Sequence, residues 1–294
     1  MRDVKFVAEI SSNHNGSLQR CKELITAAAE SGCTAVKFQL FKIDELFSPE
    51  VIASKAEVRA RREWELPIDF IPDLSNYSHD LGLEFSCTPF YLDAVEELTP
   101  YVDFFKIASY ELLWHDLFRE CAGTGLPLVF STGMATYEEI QAALGSFQES
   151  EGQETTILRC TSSYPTPAQE ANLSSIDELR SRLRVDFPER NLAIGWSDHT
   201  VSPGVLYRAV FQYHVPFIEF HIDLDGMGEE YSAGHCWLPT QIQKVISGIQ
   251  TGLSAGGDGS IEPVSAEIED RDWRADPSDG LRPLRELRKQ IRND

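Results

Sequence analysis

The sequence predicts an α/β fold, a (β/α)8 barrel followed by a short C-terminal extension. Three observations carry that prediction. Eight apolar runs alternate with eight segments of helical period, about one pair every 30 residues, as a barrel of ~250 residues requires. The runs turn polar at their C-terminal ends, where parallel α/β proteins present side chains to ligands. The chain, 294 residues long, fits one large barrel domain or two ordinary domains, and the eight alternations favour the barrel. We place the barrel at 1–255 and the extension, packed on it without forming a domain, at 256–294.

The first strand is 4–10 (VKFVAEI), and the turn-rich SSNHNGS follows it. Apolar residues at helical spacing fill 18–31 until Gly32 stops them. TAVKF (34–38) is the second strand, 40–67 a long charged insertion containing RARRE, and 68–81 a helix closed by Gly82. The third and fourth strands are LEFSCT (83–88) and FFKIAS (104–109), each followed by a helix, 91–98 and 114–124. PLVFST (127–132) and TTILRCTS (155–162) come next, with helices over 137–149 and 174–183. The seventh strand, 192–197, opens LAIGWSDHT; a helix over 203–213, an eighth strand over 216–222 and a last helix over 241–253 complete the series. The Pro- and Gly-dense tail 256–294 reads as an ordered loop with a short final helix.

Composition narrows the function. The chain is 42% hydrophobic and 25% charged, which is that of a soluble globular protein. No apolar run approaches the ~20 residues that span a bilayer. The N-terminus MRDVKFVAEI is too short and acidic for a signal peptide, so a cytoplasmic protein is expected. A formal charge of −21 repels nucleic acid and anionic membranes. The six cysteines show no CxxC pair and no zinc spacing, and read as buried free thiols.

The strand ends carry Glu9, Lys37 with Gln39, Thr88, Lys106 with Ser109, Ser131 with Thr132, Thr161 with Ser162, Ser197 with His199, and His221 with Asp223. Lys37 and Lys106 stand inside apolar runs, where each either pairs with a carboxylate of the barrel or binds an anion. Ammonium groups beside the hydroxyls of Thr88, Ser109 and Ser131 suit phosphate and carboxylate. No Gly-rich phosphate loop is present, which argues against a nucleotide. His199 and His221 fall on neighbouring strands beside Asp198 and Asp223, a set that accepts manganese, iron, cobalt or zinc. His14 is either a ligand contact or a turn residue. Glu9 can orient a substrate hydroxyl or tune a metal-bound water, or simply pair with Lys37.

The motifs AEISSNHNGS, AVKFQLFK, SCTPF, FFKIAS, FSTGMAT, CTSSYPTP and GWSDHT occur in this order at the positions just derived. Together, over about residues 6–223, they closely resemble the sialic acid synthase (N-acetylneuraminate synthase) family, in a form without its C-terminal antifreeze-like domain. The resemblance implies a TIM barrel that condenses phosphoenolpyruvate with an N-acylated amino sugar, giving a nonulosonic acid and phosphate, with Mn2+ or Mg2+. It implies that His199 and His221 bind the metal. It also implies that Lys37, Thr88, Lys106, Ser109, Ser131 and Ser197 hold phosphoenolpyruvate, with Glu9 and Gln39 at the reacting centre and Tyr164 at the sugar. Ser162 stands where several members have asparagine.

Two departures follow. The family's proline-glycine-proline-aspartate stretch, whose aspartate contacts the sugar, is replaced by HIDLDGMGEEYSAGHCWLP, which leaves Glu230 or His235 to serve. The antifreeze-like domain normally donates an arginine across a domain-swapped dimer; Arg274 or Arg282 of the tail is the expected substitute. Arg274→Ala and Arg282→Ala should then each raise the sugar KM or lower kcat, and normal kinetics in both would end that idea. A homodimer through exposed apolar helix faces stays open. Three rival functions are a related synthase taking a phosphorylated sugar, which would lean on RARRE, a lysine Schiff-base aldolase, and a non-catalytic sugar-binding barrel in polysaccharide assembly.

Overall fold

Runs rich in Val, Ile, Phe and Leu form eight strands: β1 (Lys5–Glu9), β2 (Ala35–Leu40), β3 (Glu84–Pro89), β4 (Phe104–Ile107), β5 (Leu128–Ser131), β6 (Thr155–Cys160), β7 (Leu192–Asp198) and β8 (Phe217–Ile222). Each pairs in parallel with its successor, and β8 returns to β1, with Lys5 opposite Phe217 and Glu9 opposite His221. The sheet is a closed barrel, as the alternation of elements predicts. The computed structural model describes residues 4–292, and the chain divides into two units, Met1–Thr251 and Gly252–Asp294.

Side chains alternate along a strand, so every second residue enters the barrel. One inward layer is apolar: Val7, Ala35, Phe104, Val129, Leu158 and Phe217 form a buried cluster, with the Phe104 and Phe217 rings edge to face at 6.0 Å. Burying each large side chain contributes about 1.5–3 kcal/mol. Two residues further along the same strands stand Glu9, Lys37, Lys106, Ser131, Cys160 and Glu219. The apolar layer is thus the floor, and the next inward layer is the site. Gly195 lets β7 close onto its neighbours: a Cβ there would meet Leu158 Cδ2 at 2.6 Å and the Phe217 carbonyl at 2.7 Å.

The outer helices follow their end signals. Helix Leu18–Glu30 begins at Ser17, whose hydroxyl accepts from Arg20 N–H, and ends before Gly32, at φ +87°. Helix Tyr137–Gly145 carries a full capping box, Thr136 with Glu139. The expected insertion folds into three short helices, Ile43–Leu46, Pro49–Ser54 and Ala56–Ala60. Phe41, Ile43 and Val58 give it a small core of its own, with Leu46, Phe47, Trp64 and Phe90 packed against it.

Two elements have no sequence signal, because neither is long enough to show a period. One is helix Glu229–Ala233; the other is β9 (Cys236–Trp237). β9 pairs with the end of β8, Cys236 opposite His221, just where β1 stops. Asp223 pins the loop between them, accepting from Leu224 N–H at 2.8 Å and Gly228 N–H at 3.0 Å, and pairing with Arg20 at 3.1 Å.

The second unit ends in helix Arg285–Ile291. Its loop is tied by Asp276, which accepts from Ser278 N–H at 3.0 Å and Arg285 N–H at 2.9 Å. Among the described residues no helix is long and apolar enough to cross a membrane.

Candidate active site

A cavity of about 690 Å³ is lined by the C-terminal ends of the strands and the loops that follow them. Its inner wall is a buried charge network. Lys37 Nζ pairs with Glu9, donates to Thr88 Oγ1 at 3.1 Å and lies 3.9 Å from Glu219. Lys106 Nζ is 3.0 Å from Glu219 Oε1, which also accepts from Ser197 Oγ at 3.3 Å. Gln39 Nε2 and Ser11 N–H hold the other oxygen of Glu9, at 2.8 and 2.9 Å. Burial alone would lower Lys37, but Glu219 and Glu9 outweigh it and hold it above the ordinary lysine range. Burial draws Lys106 down, and Lys37 adds to the pull; Glu219 opposes both. Burial would raise Glu219, but the two lysines hold it below the ordinary carboxylate range.

The side wall is aromatic and basic. Tyr164 packs on His199, His221 and His235, with ring centroids at 4.2, 6.0 and 5.2 Å. His199 Nδ1 donates to the Thr161 carbonyl at 2.9 Å, and His221 Nδ1 lies 2.9 Å from Glu230 Oε2. Both rings therefore keep Nε2 free. Their centroids are 5.4 Å apart. Two imidazoles on one cation, each at ~2.1 Å, place their centroids roughly 4.5–5.5 Å apart, so the pair fits a shared divalent ion. Burial and the neighbouring His221 lower His199 to about 3, which leaves it the neutral donor a metal needs. His221, Glu230, His235 and Cys236 also bring ligand atoms within 4.8 Å of one another.

Among the described residues, five lining side chains have a buried polar atom without a hydrogen-bond partner. Glu9 Oε2 and Glu219 Oε2 face Lys37 as ion pairs, which leaves three, Ser131 Oγ, Glu111 Oε2 and His235 Nδ1, with no partner of either kind. Leaving such an atom unpaired costs about 1–3 kcal/mol. A ligand that reaches all three would offset that cost.

Of the residues singled out in the sequence, Glu9, Lys37, Gln39, Lys106, Ser109, Ser131, Tyr164, Ser197, His199, His221, Glu230 and His235 line this cavity. Thr88 stands just behind it on Lys37, and Ser162 Oγ lies where a Cβ on Gly133 would fall. His14 is buried in its turn, Nδ1 accepting from Gly16 N–H at 2.9 Å, and burial lowers it to about 4. The Asp223 carboxylate is committed to its loop and Arg20. Asp198 accepts from Trp196 Nε1 at 3.1 Å and Thr200 Oγ1 at 2.8 Å, holding the β7 end in shape. Arg274 and Arg282 belong to the second unit, where Arg274 Nε donates to the Arg271 carbonyl at 2.7 Å. The sequence reading missed Glu219, Glu111, Cys160 and Trp64, all of which line the cavity, as does Arg61 of the RARRE segment. Only Glu219 carried a signal, as a charge inside the apolar run FIEFHI.

The profile of the NeuB family matches residues 24–260. The chain belongs to the NeuB family. Among its relatives, the N,N'-diacetyllegionaminic acid synthase of Legionella pneumophila is 30% identical over 280 residues, covering 90% of this chain and 76% of the relative. The N-acetylneuraminate-9-phosphate synthase of Drosophila melanogaster is 30% identical over 254 residues, with 83% and 66% covered. The crystal structure of the N-acetylneuraminic acid synthetase from Leptospira borgpetersenii, in complex with citrate, superposes with a TM-score of 0.77 at 26% identity, covering 99% of this chain and 93% of that one. This NeuB chain therefore aligns over nearly its whole length with an acid synthetase, and several residues of the resemblance motifs, among them Glu9, Lys37, Lys106, Ser131, Ser197 and His199, line its cavity.

Proposed function

We propose that this NeuB-family chain condenses phosphoenolpyruvate with the open-chain aldehyde of an N-acylated amino sugar, N-acetylmannosamine-like, to form a nonulosonic acid and phosphate. The observation that carries the proposal is the layer of paired charges beneath unpaired donors. Lys37 and Lys106 meet the phosphate and carboxylate, and Ser131 Oγ donates the hydrogen bond it lacks within the protein. Carbon 3 attacks the aldehyde, water adds at carbon 2, and phosphate leaves with C–O cleavage. The lysines stabilise negative charge as it develops. Glu9, fixed by Gln39 and Ser11, takes the proton from the attacking water or a sugar hydroxyl in this reading.

A divalent cation belongs in the same reading. Glu9, Glu219, Glu229 and Glu230 outnumber Lys37, Lys106 and Arg61 across the lining. An anionic substrate in so buried a place calls for a further cation. His199 and His221 would hold it, Mn2+ or Mg2+ by family resemblance, and it would polarise the acceptor carbonyl. His235 Nδ1 is placed to accept from a sugar hydroxyl.

The outer end of the cavity supports an acylated acceptor. Leu46, Phe47, Trp64 and Phe90 form an apolar wall, and the Arg61 guanidinium lies 6.0 Å from the Phe47 ring centroid and 5.4 Å from that of Trp64. Acyl methyls fit such a wall, with Arg61 donating to the acyl oxygen. A phosphorylated acceptor finds less there: Arg62 is paired with Asp44, and Arg59 donates to the carbonyls of Ile52 and Ala53. Trp64→Ala should raise the acceptor KM roughly tenfold with the phosphoenolpyruvate KM unchanged, the scale of a lost apolar contact; equal changes in both would place the acceptor elsewhere.

The test is phosphate release from phosphoenolpyruvate with Mn2+ across a panel of N-acylated hexosamines, their 6-phosphates and diacylated deoxy forms, with EDTA and His221→Ala controls. Release with one acceptor only, abolished by both controls, is the expected result. A folded, Mn2+-binding protein that releases none with any acceptor would favour the sugar-binding reading. Borohydride added with substrate should trap no lysine adduct; a trapped Lys106 would make the barrel a Schiff-base aldolase.

A further inference from the structure

The loop that replaces the family's aspartate stretch places one carboxylate at the centre of the histidine wall. Glu230, on helix Glu229–Ala233, is only 16% exposed at its side chain. Its two oxygens serve different parts of the fold. Oε1 takes the hydroxyls of Ser11 and, at 3.3 Å, Ser12, both from the loop after β1. Oε2 faces His221 Nδ1 at 2.9 Å, with His235 Nε2 and Cys236 Sγ each at 3.5 Å. Five donors from three segments meet a group with about four acceptor sites. No lone pair of Glu230 is left for a cation.

We propose that Glu230 is a positioning residue for the cation site: it holds His221 by Nδ1 and so keeps Nε2 turned toward His199. This rests on the reading of His199 and His221 as the cation pair. The two histidines are then fixed alike, one by the Thr161 carbonyl and one by a carboxylate. A ring nitrogen held in this way gives the opposite nitrogen a defined tautomer and direction, and loss of the outer partner costs roughly 10–100-fold in metal affinity. The short β9 makes the arrangement possible. By pairing Cys236 with His221 it returns the loop to the barrel, and the loop carries Glu230 between β8 and the first loop.

Mn2+ binding alone, followed by calorimetry on the full chain, tests the assignment. Glu230→Ala should weaken binding by roughly 10–100-fold, measured on folded protein. Glu230→Gln should recover part of the loss, since its amide oxygen still accepts from Nδ1–H, and it keeps the test open if the alanine variant folds poorly. His235→Ala and Cys236→Ala should stay within a few-fold of wild type, while His221→Ala loses binding. Wild-type affinity in Glu230→Ala overturns the proposal. So do losses in His235→Ala and Cys236→Ala as large as that in His221→Ala, because the four-residue cluster is then itself the ligand sphere; a thiolate-to-metal band on Co2+ binding, lost in Cys236→Ala, would mark the same outcome. A wild-type protein that binds no Mn2+ removes the cation site itself, so that failure is distinct from failure of the positioning role.

Discussion

Glu219→Ala should cost about 3–5 kcal/mol of folding stability, the usual price of leaving one partner of a buried ion pair alone. Lys37 retains Glu9, but Lys106 has Glu219 as its only carboxylate partner among the described residues. Both members of that pair are less than a twentieth exposed as residues, so the stranded ammonium is poorly solvated. Urea unfolding of the two proteins at one pH reads the difference. The double variant Lys106→Met with Glu219→Leu should recover most of the stability, since apolar residues of similar size commonly replace a buried pair at little cost. It should bind no phosphoenolpyruvate. A single variant that loses under about 1 kcal/mol would mean that Lys106 sheds its proton or finds another partner.

The network explains why charge is present in the core at all. Four ionised groups in a barrel interior are a poor way to gain stability. Here they form one cluster above an apolar floor, contributed by β1, β2, β4 and β8 and joined by ion pairs. Lys37 and Lys106 were legible in the sequence because a lysine inside an apolar run is conspicuous. Glu219 sits in the same kind of run and follows from the same alternation: Phe217 is floor, Glu219 is site, and His221 is the wall above. Strand identity and period were therefore enough to find the inward layer of β1, β2, β4, β5, β6 and β8, whereas attention to strand ends alone passed over its middle.

The loops were legible only in part. Asp198 and Asp223 share composition with the histidines beside them, but each is spent on local hydrogen bonds. Whether a carboxylate beside a histidine faces the cavity depends on strand parity and on loop backbone, and only the first can be counted from the sequence. Arg61, Trp64 and Glu230 reach the site through segments with no period, held there by a satellite core in one case and by β9 in the other. His14 resolves to the turn that the sequence left open beside a ligand role.

Glu111 should respond to substitution in two opposite directions. It follows β4 in the short 3-10 turn Ser109–Glu111, with Oε2 buried and unpaired in the cavity. Burial raises it from the ordinary 4.5 to about 7, even though Lys106 pulls the other way. The native state therefore holds this proton more tightly than the unfolded chain. The stability it contributes is complete below about pH 4.5 and is lost as pH rises through 7, a change on the order of 3 kcal/mol. Glu111→Gln has no such loss. It should match wild type near pH 4 and exceed it by up to about 3 kcal/mol at pH 8, measured by denaturant unfolding at both values. Catalysis should move the other way. A cavity carboxyl that titrates near neutrality is suited to pass a proton during water addition or phosphate departure, and its loss should lower kcat by roughly 100-fold or more. A variant that gains stability at pH 8 and keeps its kcat would leave Glu111 a buried acid with no part in the chemistry. One that gains no stability at pH 8 would show that the folded state does not raise this group above its unfolded value, and that Lys106 rather than burial governs it.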